Sequence, residues 1–113
     1  MYFKDRSIVN PINNNIIEIL NGRQEGSNLF HSFRDFSVPQ GMEARFDLNN
    51  TSNITTIFSR VTGGNVSNID GTISIVGNPS ASLFLLNPAG IIFGQNAQLQ
   101  IGGSFVGTTA NSI

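Results

Sequence analysis

The sequence contains no cysteine and no tryptophan, and it has few charged side chains. The absence of cysteine excludes disulfides, thiolate metal sites and thiol nucleophiles. Charged residues make up only 12% of the 113 positions, and all of them lie at or before Asp70, so residues 71–113 carry no formal charge. The net charge of −1 gives no electrostatic reason to expect binding to nucleic acid or to an anionic membrane surface.

Long hydrophobic runs are lacking as well. Residues 1–20 contain Lys4 and Arg6 but no apolar segment of the length that a secretory signal peptide requires, and an Asn run at 13–15 interrupts it. Polar residues or proline interrupt the other apolar runs well before the ~18 residues of a transmembrane helix. We therefore expect no signal peptide here and, if the chain is complete, a cytoplasmic or non-exported protein.

Side chains that could support catalysis or metal binding are scattered. His31 is the only histidine, and no carboxylate lies near it at a metal-ligand spacing, so we interpret it as a structural residue. Glu43 and Asp47, with Arg45 between them, are typical of the solvated face of a strand rather than of an acid/base pair. We therefore predict no catalytic, cofactor-binding or metal site, no small-molecule substrate and no enzymatic activity.

Short strand patterns, separated by corners rich in glycine and asparagine, occupy most of the chain. The predicted strands cover residues 16–20, 43–48, 54–58, 72–76, 82–86, 91–93, 97–101 and 104–106. Residues 29–38 fit helical and strand spacing alike, and their aromatic and serine content favours strand or irregular structure. The strands at 83–86 and 91–93 are apolar on both faces, so we expect Phe30, Phe33 and Phe36 to cover the outer one.

The spacing of these strands predicts an all-β fold. Apolar centres recur at intervals of 10, 7 and 9 residues, at Ile75, Leu85, Ile92 and Ile101. Three strands per turn would give a parallel solenoid with a coil of roughly 20 to 30 residues. An antiparallel β-sandwich is the alternative, which the Asp70-Gly71 and Asn21-Gly22 turns favour. The Gly-Gly and Asn-Pro corners favour the solenoid, because they lack the two-residue geometry that hairpins prefer.

The best specified corner is Asn87-Pro88-Ala89-Gly90, which separates two apolar runs. Asn at the first position, Pro at the second and Gly at the fourth is the signature of a type I turn. The Asn87 side-chain oxygen can then accept a hydrogen bond from the Ala89 N–H. The third position of such a turn has a negative φ, so it accepts Ala89 without strain.

This stretch resembles the Asn-Pro-Asn-Gly-Ile motif of the secretion (TPS) domain that opens filamentous-haemagglutinin-type two-partner-secretion exoproteins. Four other segments resemble blocks of that family in the same order. They are Gly26–Phe33, Ile57–Gly64, Asn68–Ile73 and Ile101–Val106. The resemblance runs from about Gly26 to Ile113, and the chain departs from the motif at Ala89, which replaces its second Asn.

The resemblance implies a right-handed parallel β-helix, a single-stranded solenoid, with N-terminal capping strands. Residues 1–15, which lie outside the family blocks, are predicted to form a poorly ordered leader. Residues 16–113 are expected to form a secretion-domain-like β-helix that is truncated at its C-terminal end. In this family the module is recognised in the periplasm by the POTRA domains of an outer-membrane β-barrel transporter. The residues implied in that recognition are Asn87, Pro88, Ala89, Gly90 and Ile91.

The function implied is to seed the β-helix folding of a secreted adhesin or haemagglutinin-like exoprotein as it reaches the cell surface. A structural adhesin remnant without a transporter is the alternative, and a carbohydrate-active β-helix enzyme is a remote one. The charge-free residues from Gly71 onward could not supply the charged cluster of such an enzyme. Because no charge or proline blunts the last strand edge, we also expect self-association through the open C-terminal coil.

Overall fold

The computed structural model describes residues 7–11, 13–49 and 51–110, and these form twelve short strands. The strands are β1 (Ser7–Pro11), β2 (Ile16–Asn21), β3 (Arg23–Glu25), β4 (Asn28–Phe33), β5 (Glu43–Asp47), β6 (Thr56–Val61), β7 (Ser67–Ile69), β8 (Thr72–Val76), β9 (Ser82–Leu86), β10 (Ile91–Phe93), β11 (Gln98–Gln100) and β12 (Phe105–Thr108). No helix within these ranges has the length and apolar character needed to cross a membrane.

The strands form three sheets, and strands that follow one another in the coils belong to different sheets. The aromatic sheet has the order β12-β9-β6-β4-β3, the acidic sheet has the order β1-β2-β5-β8-β11, and a two-stranded sheet pairs β10 with β7. The β1/β2 and β3/β4 pairs are antiparallel, and the other seven pairs are parallel. The chain is therefore a parallel β-solenoid of about three turns, with antiparallel pairs at its N-terminal end.

Each turn of the solenoid takes up 22 to 29 residues. Glu43 aligns with Thr72, 29 positions later, and Leu83 aligns with Phe105, 22 positions later. These separations confirm the predicted coil length. The alternative β-sandwich is wrong, because β8 and β9 lie in different sheets instead of forming a hairpin.

The Asn21-Gly22 turn shows why a hairpin signal misleads in this fold. Both residues have positive φ, 61° and 94°, which is the conformation that a two-residue hairpin turn requires. The flanking strands β2 and β3 nevertheless belong to different sheets. The turn therefore makes a corner of the coil, and so does the Asp70-Gly71 turn between β7 and β8.

The core lies inside the coils, where side chains from successive turns stack in register. Leu29, Ile57 and Leu83 align across β4, β6 and β9 and are exposed by 2% or less. Full burial of such a side chain stabilises a fold by about 1.5 to 3 kcal/mol. The alternation in β4 places Phe33 in this core, where it packs beside Phe36 with ring centroids 5.2 Å apart. The expectation that Phe33 and Phe36 cover the outside of the sheet is therefore wrong; Phe30 alone of the three lies on the outer face.

The N-terminal segment forms more structure than we expected. Ser7–Pro11 pairs with residues 17–21 of β2 and so covers the edge of the acidic sheet. Residues 1–6 and 12 of the expected leader lie outside the described residues. Three-residue strands β3 and β7 were not predicted either, because so short a segment shows no alternation.

Candidate functional site

The Asn-Pro-Ala-Gly corner connects β9 to β10 and has the geometry that its residues predict. The Gly90 N–H donates to the Asn87 carbonyl oxygen at 3.0 Å, which closes the four-residue turn. The Asn87 Oδ1 accepts the Ala89 N–H at 2.9 Å, as predicted. Gly90 has a φ of 126°, a conformation that side chains rarely adopt, whereas Ala89 is not among the residues with positive φ.

The side chain of Asn87 is the centre of a hydrogen-bond network inside the corner. It is 1% exposed, and its Nδ2 donates at 2.9 Å both to the Asn65 carbonyl oxygen and to Ser67 Oγ in the preceding coil. Its backbone N–H donates to the Thr108 carbonyl oxygen in the following coil, also at 2.9 Å. Asn87 therefore joins three successive coils, and every polar atom of its side chain has a partner.

A second Asn-Pro corner, at Asn78-Pro79, repeats this arrangement between β8 and β9. Asn78 Nδ2 donates to the Ile54 carbonyl oxygen of the preceding coil at 2.7 Å. Asn78 Oδ1 accepts the Ser80 N–H at 3.0 Å, and its carbonyl oxygen accepts the Ala81 N–H at 3.3 Å. Sequence reasoning missed this equivalence, although the Asn-Pro pair recurs in the chain nine residues before Asn87 and would have indicated it.

The structure separates the five predicted recognition residues into two groups. Asn87 is buried, Gly90 is half-buried, and Ile91 is half-buried and packs against the core. Pro88 and Ala89 are exposed and border a groove of about 310 Å³ that Arg60 and Thr62 also line. A partner that approached this corner would therefore contact Pro88 and Ala89, whereas Asn87 could act only by holding them in place.

The single histidine is a buried residue of the core. His31 is 2% exposed and lies against Phe46, with ring centroids 5.5 Å apart. Its burial lowers the pKa of the imidazole to about 4, so the ring is neutral at pH 7. The described ranges contain no group of three or more His, Cys, Asp or Glu side chains placed to hold a metal ion.

The charged face of β5 is held together by its own contacts. Arg45 Nε donates to Glu43 Oε2 at 3.0 Å, and Ser74 Oγ donates to the same oxygen at 2.7 Å. Partial burial raises the pKa of Glu43, but these two hydrogen bonds and the Arg45 charge outweigh it and keep the pKa below its usual value. This arrangement is a partly solvated strand face.

Comparisons with known proteins agree with this architecture. The family model described as the TPS secretion domain matches residues 2–113, so the family extends well upstream of Gly26, where the motif resemblance began. The heme/hemopexin-binding protein of Haemophilus influenzae is 32% identical over 76 residues, which are 67% of this chain and 8% of that protein. The crystal structure of the filamentous hemagglutinin secretion domain matches with a TM-score of 0.77 and 19% identity, over 99% of this chain and 43% of that one.

The chain thus spans a small part of the curated relative and less than half of the solved structure. The similarity to the solved structure supports the solenoid fold, and the family match covers nearly every residue. Exoproteins of this family are secreted. The chain belongs to the TPS secretion domain family of filamentous-haemagglutinin-type two-partner-secretion exoproteins, a family of non-catalytic modules.

Proposed function

We propose that this domain is recognised by the POTRA domains of an outer-membrane β-barrel transporter and seeds the folding of a longer secreted, adhesin-like exoprotein at the cell surface. The observation that carries the proposal is the family match over residues 2–113. The antiparallel pairs at the N-terminal end and the parallel coils after them give the chain a direction of growth. Its work is binding and templating, with no chemical step.

The last coil supports the templating role, because two of its inward side chains remain largely exposed in the part of the chain that the structure describes. Phe93 and Leu99 align with Ile69 and Ile73 of the preceding coil. Those two isoleucines are 0% exposed, whereas Phe93 and Leu99 are exposed by 46% and 43%. A further coil of a longer exoprotein would bury these side chains and would pair with the free edges of β10, β11 and β12. Each completed coil would then offer the next one a similar surface.

The Asn87 corner supports a recognition role through its exposed residues. The hydrogen bonds of Asn87 fix the corner to two neighbouring coils, and that rigidity presents Pro88 and Ala89 in one geometry. A charge placed on this exposed pair should leave the fold intact and disturb a partner that packs against it. Ala89→Asp therefore separates recognition from stability better than a change at Asn87 does.

The test is export of the chain fused to a bacterial signal peptide, in cells that also carry the transporter of a related two-partner system. We expect transporter-dependent appearance of the protein in the medium, measured by immunoblot. Ala89→Asp should reduce that export with little change in thermal unfolding. The matched control is Ser80→Asp, which places the same charge at the third position of the equivalent Asn78 corner.

Two outcomes would contradict these claims separately. Export that does not depend on the transporter, in a variant shown to be folded, would refute the secretion-domain role and favour an adhesin remnant. Export that Ala89→Asp and Ser80→Asp reduce equally would refute recognition at the Asn87 corner, while leaving the role of the whole module in place.

A further inference from the structure

A row of aromatic rings crosses the outer face of the aromatic sheet. Phe30, Phe58 and Phe84 align across β4, β6 and β9. Their ring centroids are 5.2 and 5.1 Å apart, and the planes of the first two differ by only 15°. The Arg23 guanidinium lies 4.7 Å from the centroid of Phe30 and closes one end of the row, and Val106 continues the register at the other end.

The stacking leaves the edges of the rings, rather than their faces, for contact with a partner. The faces of Phe30 and Phe58 are covered by each other, by Arg23 and by Phe84. A sugar ring or a nucleic-acid base stacks on an open aromatic face, so Phe30 and Phe58 are poorly suited to either. Ring edges carry the positive end of the aromatic quadrupole, which favours contact with carboxylate oxygens.

The charges on the sheets point to the same kind of partner. The aromatic sheet carries two arginines, Arg23 and Arg60, and one acid, Glu25. The acidic sheet carries three acids and one arginine, at Glu18, Glu43, Asp47 and Arg45. Arg60 is exposed, and the Arg23–Glu25 pair at 2.8 Å is exposed on both sides, where such a pair contributes little. Positive charge and apolar surface therefore occur together on one face.

A groove of about 380 Å³ runs over this face. Side chains that line it include Arg23, Asn28, Phe30, Ser32, Phe58 and Arg60. An extended segment presents every second side chain to a surface beneath it, so a segment that carries both acidic and apolar residues among those alternate positions could place both kinds here. The carboxylates would meet the arginines and ring edges, and the apolar groups would meet the half-buried rings.

We propose that the outer face of the aromatic sheet is a docking surface for a protein segment rich in both acidic and apolar side chains. Arg60 also lines the groove beside Pro88 and Ala89. Phe30 and Phe58, however, line only the present groove of the two. The proposal does not depend on a transporter. The occupant is a peptide segment because ring edges and separated guanidinium groups suit several carboxylates mixed with apolar groups. A uniformly charged polymer would leave the aromatic row without a partner.

The test measures binding of a labelled synthetic peptide that combines Glu and Leu, by fluorescence anisotropy with the folded chain. We expect saturable binding, and a loss of affinity of about tenfold or more for peptides in which Gln replaces Glu or Ser replaces Leu. Arg60→Gln and Phe58→Ser should weaken binding to a similar degree. Matched controls on other sheets, Arg45→Gln and Ile92→Ser, should leave it unchanged.

Several results would overturn the proposal. The first is the absence of saturable binding by the Glu/Leu peptide. The second is binding of the Glu/Ser peptide, or of the acidic polysaccharide polygalacturonate, with the same affinity as the Glu/Leu peptide. The third is a loss of affinity in the control variants equal to that in Arg60→Gln and Phe58→Ser. Circular dichroism verifies the fold of each protein. If Phe58→Ser fails to fold, the exposed Arg60→Gln variant and the three peptides still decide the outcome.

Discussion

Replacement of Asn87 by Ala should destabilise the domain strongly, because it removes three hydrogen bonds from a buried corner. Two are donated to the Asn65 carbonyl oxygen and to Ser67 Oγ, and one is accepted from the Ala89 N–H. At a net value of about 0.5 to 1.5 kcal/mol each, their loss should lower the free energy of unfolding by roughly 2 to 4 kcal/mol. We expect a loss in the upper part of that range, because the buried Ser67 hydroxyl would lose the hydrogen bond that Asn87 Nδ2 donates to it.

The measurement is urea unfolding followed by circular dichroism, with Leu85→Ala as a reference for a purely apolar loss. Leu85 is 0% exposed, so its replacement should cost about 2 to 5 kcal/mol. Asn87→Asp adds a pH test: it keeps the acceptor but faces a carboxylate toward the Asn65 carbonyl oxygen. Burial should raise the pKa of that Asp in the folded state, so the variant should regain stability as the pH falls.

The reasoning fails if Asn87→Ala unfolds within about 0.5 kcal/mol of the parent protein, the range of an ordinary surface substitution. Asn78→Ala is the matched control for position, since the Asn78 side chain makes two hydrogen bonds instead of three and is half-buried. It should lose less stability than Asn87→Ala. An equal loss in both would show that burial of the corner does not set the cost.

Three further predictions test the core, a tight corner and the open end. Burial lowers the pKa of His31 from 6.5 to about 4, so the unfolded chain takes up a proton before the folded chain does as the pH falls. The free energy of unfolding should therefore decrease between pH 6.5 and pH 4, by about 1.4 kcal/mol per pH unit at most. Urea unfolding at several pH values should show a steeper decrease for the parent protein than for His31→Leu. Gly102→Ala should destabilise the domain by roughly 2 kcal/mol or more, because its Cβ would overlap the Pro79 carbonyl oxygen. The control is Gly107→Ala, whose Cβ would meet only ordinary contacts, the nearest at 3.4 Å. Equal thermal unfolding temperatures for the two variants would contradict this. The isolated chain should self-associate as its concentration rises, and Leu99→Lys, which charges the uncovered end, should suppress the light scattering; a monomeric parent protein at high concentration would refute the idea.

The solenoid could be predicted because the strand spacing fitted a coil and the Gly-Gly and Asn-Pro corners favoured it, although the Asp70-Gly71 and Asn21-Gly22 turns favoured the sandwich. The Asn87 turn could be specified down to its Ala89 hydrogen bond, since that bond is local. The hydrogen bonds from Asn87 to Ser67 and Asn65 could not be predicted, because these residues lie 20 and 22 positions earlier and meet Asn87 only through the register of successive coils. Residue type alone gives no register.

The main error of the sequence-based prediction concerned which phenylalanine side chains face the core and which face outward. Phe30 and Phe33 lie three residues apart, a spacing that fits a helix, and only the alternation of β4 sends one outward and the other inward. Stacking of Phe30 on Phe58 also depends on the register of two coils. Strand β1 was not predicted for a related reason, since it is defined by its pairing with β2 rather than by a local pattern.

The stacking of coils also determines how the domain should respond to force. Each coil contacts only its neighbours, so tension applied at the C-terminal end loads the outermost coil first. Detaching one coil breaks its short ladders and frees the 22 to 29 residues that separate aligned strands, a gain in contour length of roughly 80 to 100 Å. Optical tweezers should therefore record extension in steps of that size, with the antiparallel N-terminal pairs yielding last.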